Sequence, residues 1–210
     1  MREMVASLEE ALRRLIDDFW QAGLILDEML QCYGFANDIS LHSRLQTALL
    51  LAGWDCGFAS FPEVRLRLNK PIDRWALEGR RRKTRYQRTV RVDVGYYKEG
   101  LCGVGEVVTL DGAHEANPSI PRITTYQKLR HIAQNYDVFF LILIALPQQV
   151  KEPPPWKEWR EWKGADEDKR QKIIQCVERM WVRLAEEIRS ELGKEAFCFR
   201  LKERAEIVKL

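Results

Sequence analysis

Residues 89–112 read TVRVDVGYYKEGLCGVGEVVTLDG. Positions 88–97 and 101–110 are rich in β-forming residues, and KEG (98–100) supplies a glycine-containing turn between them. The stretch therefore reads as two antiparallel strands. Each carries one acid among apolar neighbours, Asp93 in RVDV and Glu106 in GVGEVV, so the turn lays the two carboxylates side by side. Carboxylates on neighbouring strands are suited to share a divalent cation, because hard cations take oxygen ligands. Side chains alternate along a strand, so Val108 lies on the same side as Glu106 and brings no charge there.

The rest of the chain sets this hairpin in an α/β domain. Upstream, ISLHSRLQTALLLAGW reads as a helix with Ser40 as its N-cap and Gly53 as its stop. CGFASFPEVRLRL (56–68) reads as extended, with Val64, Leu66 and Leu68 alternating against Arg65 and Arg67. Downstream, 124–135 is helical, with Ile123, Tyr126, Leu129 and Ala133 towards the core. VFFLILIAL (138–146) is a continuous apolar run, the mark of a strand buried on both faces. The order helix, three strands, helix, strand over about residues 40–146 calls for a mixed sheet with helices on both faces.

The flanks read as additions to that core within a single domain, 1–210. Residues 1–35 are a helical extension that Gly23 divides, and 36–150 are the core. Residues 151–210 hold the tryptophan-rich PPPWKEWREWKG, a helix over 166–192 stopped by Gly193, and a hairpin made from AFCFRL and AEIVKL.

Composition narrows the class. The chain has 210 residues, 46% of them hydrophobic and 31% charged, enough for one well-buried domain. A net charge of +3 gives no global field towards a polyanion, so local charge carries the argument. It is concentrated in 74–91, where Arg74, Arg80, Arg81, Arg82, Lys83, Arg85, Arg88 and Arg91 face one acid, Glu78, with Trp75 and Tyr86 interleaved. Such a stretch is either a solvated loop or a phosphate-contacting one. Its position, leading directly into the strand of Asp93, favours contact with nucleic acid. Five cysteines without a CxxC point to reduced thiols in the cytoplasm. The first twenty residues are too charged for a signal peptide, and VFFLILIAL is too short to span a bilayer, so no membrane partner is expected.

The element order together with Asp93 and Glu106 resembles the core of the PD-(D/E)xK, or restriction endonuclease-like, nuclease superfamily, over about half the chain. The resemblance implies a divalent-metal-dependent endonuclease that hydrolyses phosphodiester bonds, with Mg²⁺ or Mn²⁺ as cofactor, DNA as partner, and a homodimer as the assembly that cuts both strands. It sets Asp93 and Glu106 as metal ligands with the Val107 carbonyl as a further one. Counting back from Gly53, His42 falls where many members carry a helical glutamate, and Glu63 is another acid within reach. The family lysine belongs at Val108. In members that carry it elsewhere it sits on the helix after the third strand, where Lys128 is the best candidate, ahead of Arg130 and His131.

Each residue also has an ordinary reading. Asp93 is then a strand acid paired with arginine, Glu63 a surface acid, His42 a half-buried helix histidine and Lys128 a solvated helix lysine. Glu106 is hardest to read that way, since a buried carboxylate needs a partner. Asp111, His114 and Glu115 lack the spacing of a zinc site, and Asp111-Gly112 is more simply a turn. Two alternatives to the nuclease stay open: a non-cleaving nucleic-acid-binding protein on the same fold, and a protein–protein adaptor working through the Trp/Pro segment.

Overall fold

The structure is a computed structural model, and it describes residues 2–22, 38–73, 86–108, 124–145, 167–201 and 207–210. These form α1 (Arg2–Gln21), α2 (Asp38–Asp55), β1 (Ala59–Asp73), β2 (Tyr86–Tyr97), β3 (Leu101–Val108), α3 (Thr124–Asn135), β4 (Phe139–Ile144), α4 (Glu167–Leu192), β5 (Ala196–Leu201) and β6 (Ile207–Lys209). The six strands make one mixed sheet in sequence order. β1, β2 and β3 are antiparallel neighbours, β3, β4 and β5 run parallel, and β6 returns antiparallel to β5.

Connectivity explains the layers. The two parallel steps, β3 to β4 through α3 and β4 to β5 through α4, move the same way across the sheet. Crossovers of one hand therefore put both helices on one face. Leu129, Ile132 and Ala133 of α3 and Trp181, Leu184, Ala185 and Ile188 of α4 pack there against Val104, Val108, Phe140, Ile142 and Ile144. The opposite face falls to the helices that precede the sheet. Leu8, Leu12 and Ile16 of α1 and Leu45, Leu49 and Ala52 of α2 cover Tyr96, Val107, Phe139, Leu141 and Leu143. β4 lies between the two cores, and every residue from Phe139 to Ile144 is buried, as its unbroken apolar run predicts.

Helix α2 differs from expectation at both ends. It begins at Asp38, so Ser40 lies within it and is not its cap. Gly53 does not stop it either. The N–H of Phe58 bonds the Gly53 carbonyl at 2.9 Å and that of Gly57 bonds the Trp54 carbonyl at 2.9 Å, around Gly57 at φ +78°. This 6→1 and 5→2 pair closes the helix with the left-handed residue at 57. Gly53 instead permits close approach. A Cβ there would collide with Ser60 Oγ and come within 2.7 Å of the Tyr96 ring, so α2 lies tight against the sheet only because 53 has no side chain.

The β1–β2 hairpin turns over midway. Even-numbered residues beyond the site, Leu66, Leu68, Val90 and Val92, join the α3/α4 core, whereas Val94 and Tyr96 join the α1/α2 core. The change falls where the rungs Pro62–Val94 and Val64–Val92 bracket Glu63 and Asp93, and Glu63 is left-handed at φ +53°. The free edge of β1 is partly closed by the end of α3. Asn135 Oδ1 accepts from the Asn69 N–H at 2.9 Å, and the Tyr136 hydroxyl donates to the Arg67 carbonyl at 2.6 Å.

Candidate active site

The β2–β3 ladder ends at the rung Val94–Gly105, and beyond it the two strands part. Asp93 and Glu106 are the first residues past that rung, so the parting opens between the two acids named from the sequence. Asp93 bridges the gap: its Oδ2 accepts the Val107 N–H at 2.8 Å, replacing the strand partner that β2 no longer offers. The Val108 carbonyl bonds to the Ala145 N–H at 2.8 Å, towards β4, so the polar groups of Val107 face the β2 side by strand alternation. The Val107 carbonyl therefore lies on the edge that carries Asp93.

Two helices bring the remaining groups. On α2, His42 Nε2 meets Asp93 Oδ2 at 3.1 Å, and Gln46 Nε2 donates to the Asp93 carbonyl at 2.7 Å and to Glu63 Oε1 at 3.1 Å. On α3, Lys128 Nζ stands 2.5 Å from Glu106 Oε1. That contact puts the ammonium directly against Oε1, the oxygen of Glu106 that is most withdrawn from water. Glu106 is 2% exposed. Its side chain points with Val104 and Val108 to the α3/α4 face, which is why a lysine on α3 reaches it and a residue at 108 shares its side.

The two acids are driven apart. Burial pushes Glu106 up to about 8; the Lys128 ammonium pulls it down and the Asp93 carboxylate adds to the rise. Burial acts on Asp93 in the same sense, but the His42 hydrogen bond, the Lys128 charge and the Val107 N–H outweigh it and leave the carboxyl below its ordinary value. The surroundings thus favour the proton on Glu106 and the charge on Asp93, the usual divergence of two neighbouring acids in unequal environments.

An open cleft of about 750 Å³ lies against them, lined by His42, Glu63, Arg65, Thr89, Val90, Arg91, Asp93 and Lys128. Asp93 and Lys128 line it directly, with Glu106 behind Lys128. Glu63 lines it too, but its carboxylate is taken by Arg91 at 2.6 Å and by Gln46. Of the residues named from the sequence, Asp93, Glu106, Val107, Lys128, His42 and Glu63 are therefore gathered at one place. Arg130 is not among them: it pairs with Glu187 at 2.5 Å on the far side of α3. Arg80, Arg81, Arg82, Lys83 and Arg85, the Asp111–Glu115 cluster and the Trp/Pro segment lie outside the described residues, as does the side chain of Arg88. The sequence reading missed Gln46, which lies one helical turn after His42 on the same side of α2.

The donor set fits a hard cation in part. Two neighbouring carboxyls, Glu106 buried and Asp93 partly so, each raising the cost of charge on the other, are a pair whose charge a divalent ion would balance. Among the described residues no group of three His, Cys, Asp or Glu side chains is arranged to hold a metal. A cation here would rest on Asp93, Glu106 and the Val107 carbonyl, with water completing its shell. Among the described residues, no helix is long and apolar enough to cross a membrane. Comparison of the chain with protein-family models, with curated proteins and with solved structures returns no match.

Proposed function

We propose that this chain is a divalent-metal-dependent nuclease on a restriction endonuclease-like core, with the lysine of its site supplied by α3. The observation that carries the reading is the Lys128–Glu106 contact at 2.5 Å, beside Asp93 and at the parting of β2 and β3. Valine at 108 leaves Glu106 without a charged neighbour on its own strand, and α3 makes good the lack.

Asp93, Glu106 and the Val107 carbonyl would hold Mg²⁺ or Mn²⁺. When bound, the ion supplies neutralisation of charge on the scissile phosphate and a more acidic water. The chain's own groups do the rest. His42 and the Val107 N–H fix Asp93 in one rotamer and keep it ionised. Lys128, on the cleft wall, offers a cation and N–H donors to the attacking water and to charge developing on the phosphate. Glu106, itself buried behind Lys128, holds the inner end of that lysine in low-dielectric surroundings, which strengthens their interaction.

The test is cleavage of linear, branched and single-stranded DNA with Mg²⁺ or Mn²⁺ by the wild type, Asp93→Ala and Glu106→Ala. Cutting by the wild type that both variants lose by a factor of roughly 10² or more supports the reading. Equal cutting by all three overturns it. A second reading, binding without cleavage, is favoured by one observation: Asp93 Oδ2 is already engaged by two donors. Retained DNA binding with no cutting under any metal would select it.

A further inference from the structure

The cleft that Lys128 lines also carries arginines that the core does not use. Arg65 and Arg91 are direct partners across the β1–β2 ladder, both are exposed, and both line the cleft; Arg67, two residues along and opposite Thr89, is exposed as well. Like charges directly opposite on a sheet destabilise it, so folding alone disfavours this rung. Arg91 is met by Glu63, with Nε 2.6 Å from Oε2, and the two side chains are 64% and 40% exposed. The Arg65 side chain makes no ion pair or hydrogen bond with any described residue. Glu63 holds its place at φ +53°, a conformation uncommon for a residue with a side chain. A carboxylate on a guanidinium is the same charge-assisted, fork-shaped contact that a phosphate makes with it.

We propose that Arg65 and Arg91 form a binding site for the sugar–phosphate backbone of a nucleic acid lying along the hairpin, and that Glu63 takes the place of phosphate on Arg91 until the nucleic acid displaces it. The choice of ligand rests on the nuclease reading, since the same cleft holds Asp93 and Lys128. The arginine pair lies on the strands themselves, so it holds the backbone at a fixed distance from the acids.

The experiment is titration of a short fluorescently labelled DNA duplex by anisotropy, in EDTA and over a series of KCl concentrations, with wild type, R65Q/R91Q, R65K/R91K and E63Q. R65Q/R91Q is expected to bind at least tenfold more weakly (~10-fold) and to lower the log–log salt slope by about 2. R65K/R91K keeps the charge and therefore most of the slope, which separates lost charge from a lost fold. E63Q is expected to bind several times more tightly, because it frees Arg91 from its internal competitor. Wild-type affinity and slope in R65Q/R91Q would overturn the site. Weaker or unchanged binding by E63Q would overturn the role given to Glu63. The same preparations, assayed for cutting with Mg²⁺, separate the two claims. A cutting wild type whose R65Q/R91Q variant binds normally sinks this inference alone. Arginine-dependent binding without any cutting leaves it standing and sinks the nuclease.

Discussion

Glu106 is a carboxyl group almost without water, between an ammonium and a carboxylate. Its pKa of about 8 in the fold lies above the ordinary value of 4.5, so the folded state binds the proton more tightly than the unfolded chain. The stability this gives is complete below the unfolded value and is lost as pH rises from about 4.5 to about 8. At roughly 1.4 kcal/mol per unit the loss reaches a few kcal/mol. Thermal melts of the metal-free protein should therefore show a melting temperature that falls between pH 5 and pH 8. Glu106→Gln should flatten that fall, and a profile unchanged by the substitution would mean that Glu106 does not hold the proton. Excess Mg²⁺ or Mn²⁺ at pH 8 should raise the melting temperature of the wild type, EDTA should reverse the rise, and Asp93→Ala should abolish it. Lys128→Met removes the charge that lowers the Glu106 pKa. It should cost more stability at pH 8 than at pH 6, as well as lowering any cleavage. An equal loss at both pH values would show the ammonium to be incidental. The two acids on neighbouring strands could be named from the hairpin pattern, whereas Lys128 was named only through the family resemblance, since nothing in TTYQKLRHI marks it from the sequence. The left-handed Glu63 was not legible, because nothing in FPEV marks a residue with a Cβ for positive φ. The contacts of Gln46 were also hidden, since they depend on how closely α2 approaches β2.

Helix α2 carries His42 and Gln46 to Asp93, and its approach is set at the other end by Gly53. Gly53→Ala should cost about 1–3 kcal/mol by overpacking against Ser60 and Tyr96, and should shift His42 from Asp93. Gly57→Ala is its control. A Cβ at 57 meets nothing within 4 Å, yet φ +78° makes it cost about 1–2 kcal/mol with the site undisturbed. If the nuclease reading is right, chemical denaturation should give the two variants similar losses, while cutting suffers only in the first. Equal activity in both would mean that α2 docking does not set the site. The sequence offers glycines at both 53 and 57, and composition alone does not tell a packing glycine from a stop. Only the pairing of α2 with Ser60 and Tyr96 distinguishes them. The boundaries of α3 and the burial of β4 were by contrast readable, because an amphipathic repeat and an unbroken apolar run each admit one placement in an α/β sheet.

At the scale of the whole molecule, α1 and α2 cover one face of the sheet and α3 and α4 the other, and among the described residues its two edge strands are β1 and β6. The β6 side is three residues long. The β1 side runs from Ala59 to Asp73, long enough to recruit a foreign strand. Pro62, the left-handed Glu63 and the clasp of Asn135 and Tyr136 interrupt it at intervals. Asn135→Ala with Tyr136→Phe frees one amide and one carbonyl on that side and touches no residue of the acid site. Light scattering on concentrated, warmed samples should show faster self-association than in the wild type, with cutting and DNA affinity of the remaining monomer unaltered. An unchanged association rate would assign the protection to Pro62 and Glu63 alone. The same bent strand therefore serves two ends. The departure from regular β geometry that leaves Arg91 facing a carboxylate also denies the next copy of the chain a straight template, so a variant that regularises β1 should self-associate faster than the wild type in the same light-scattering assay.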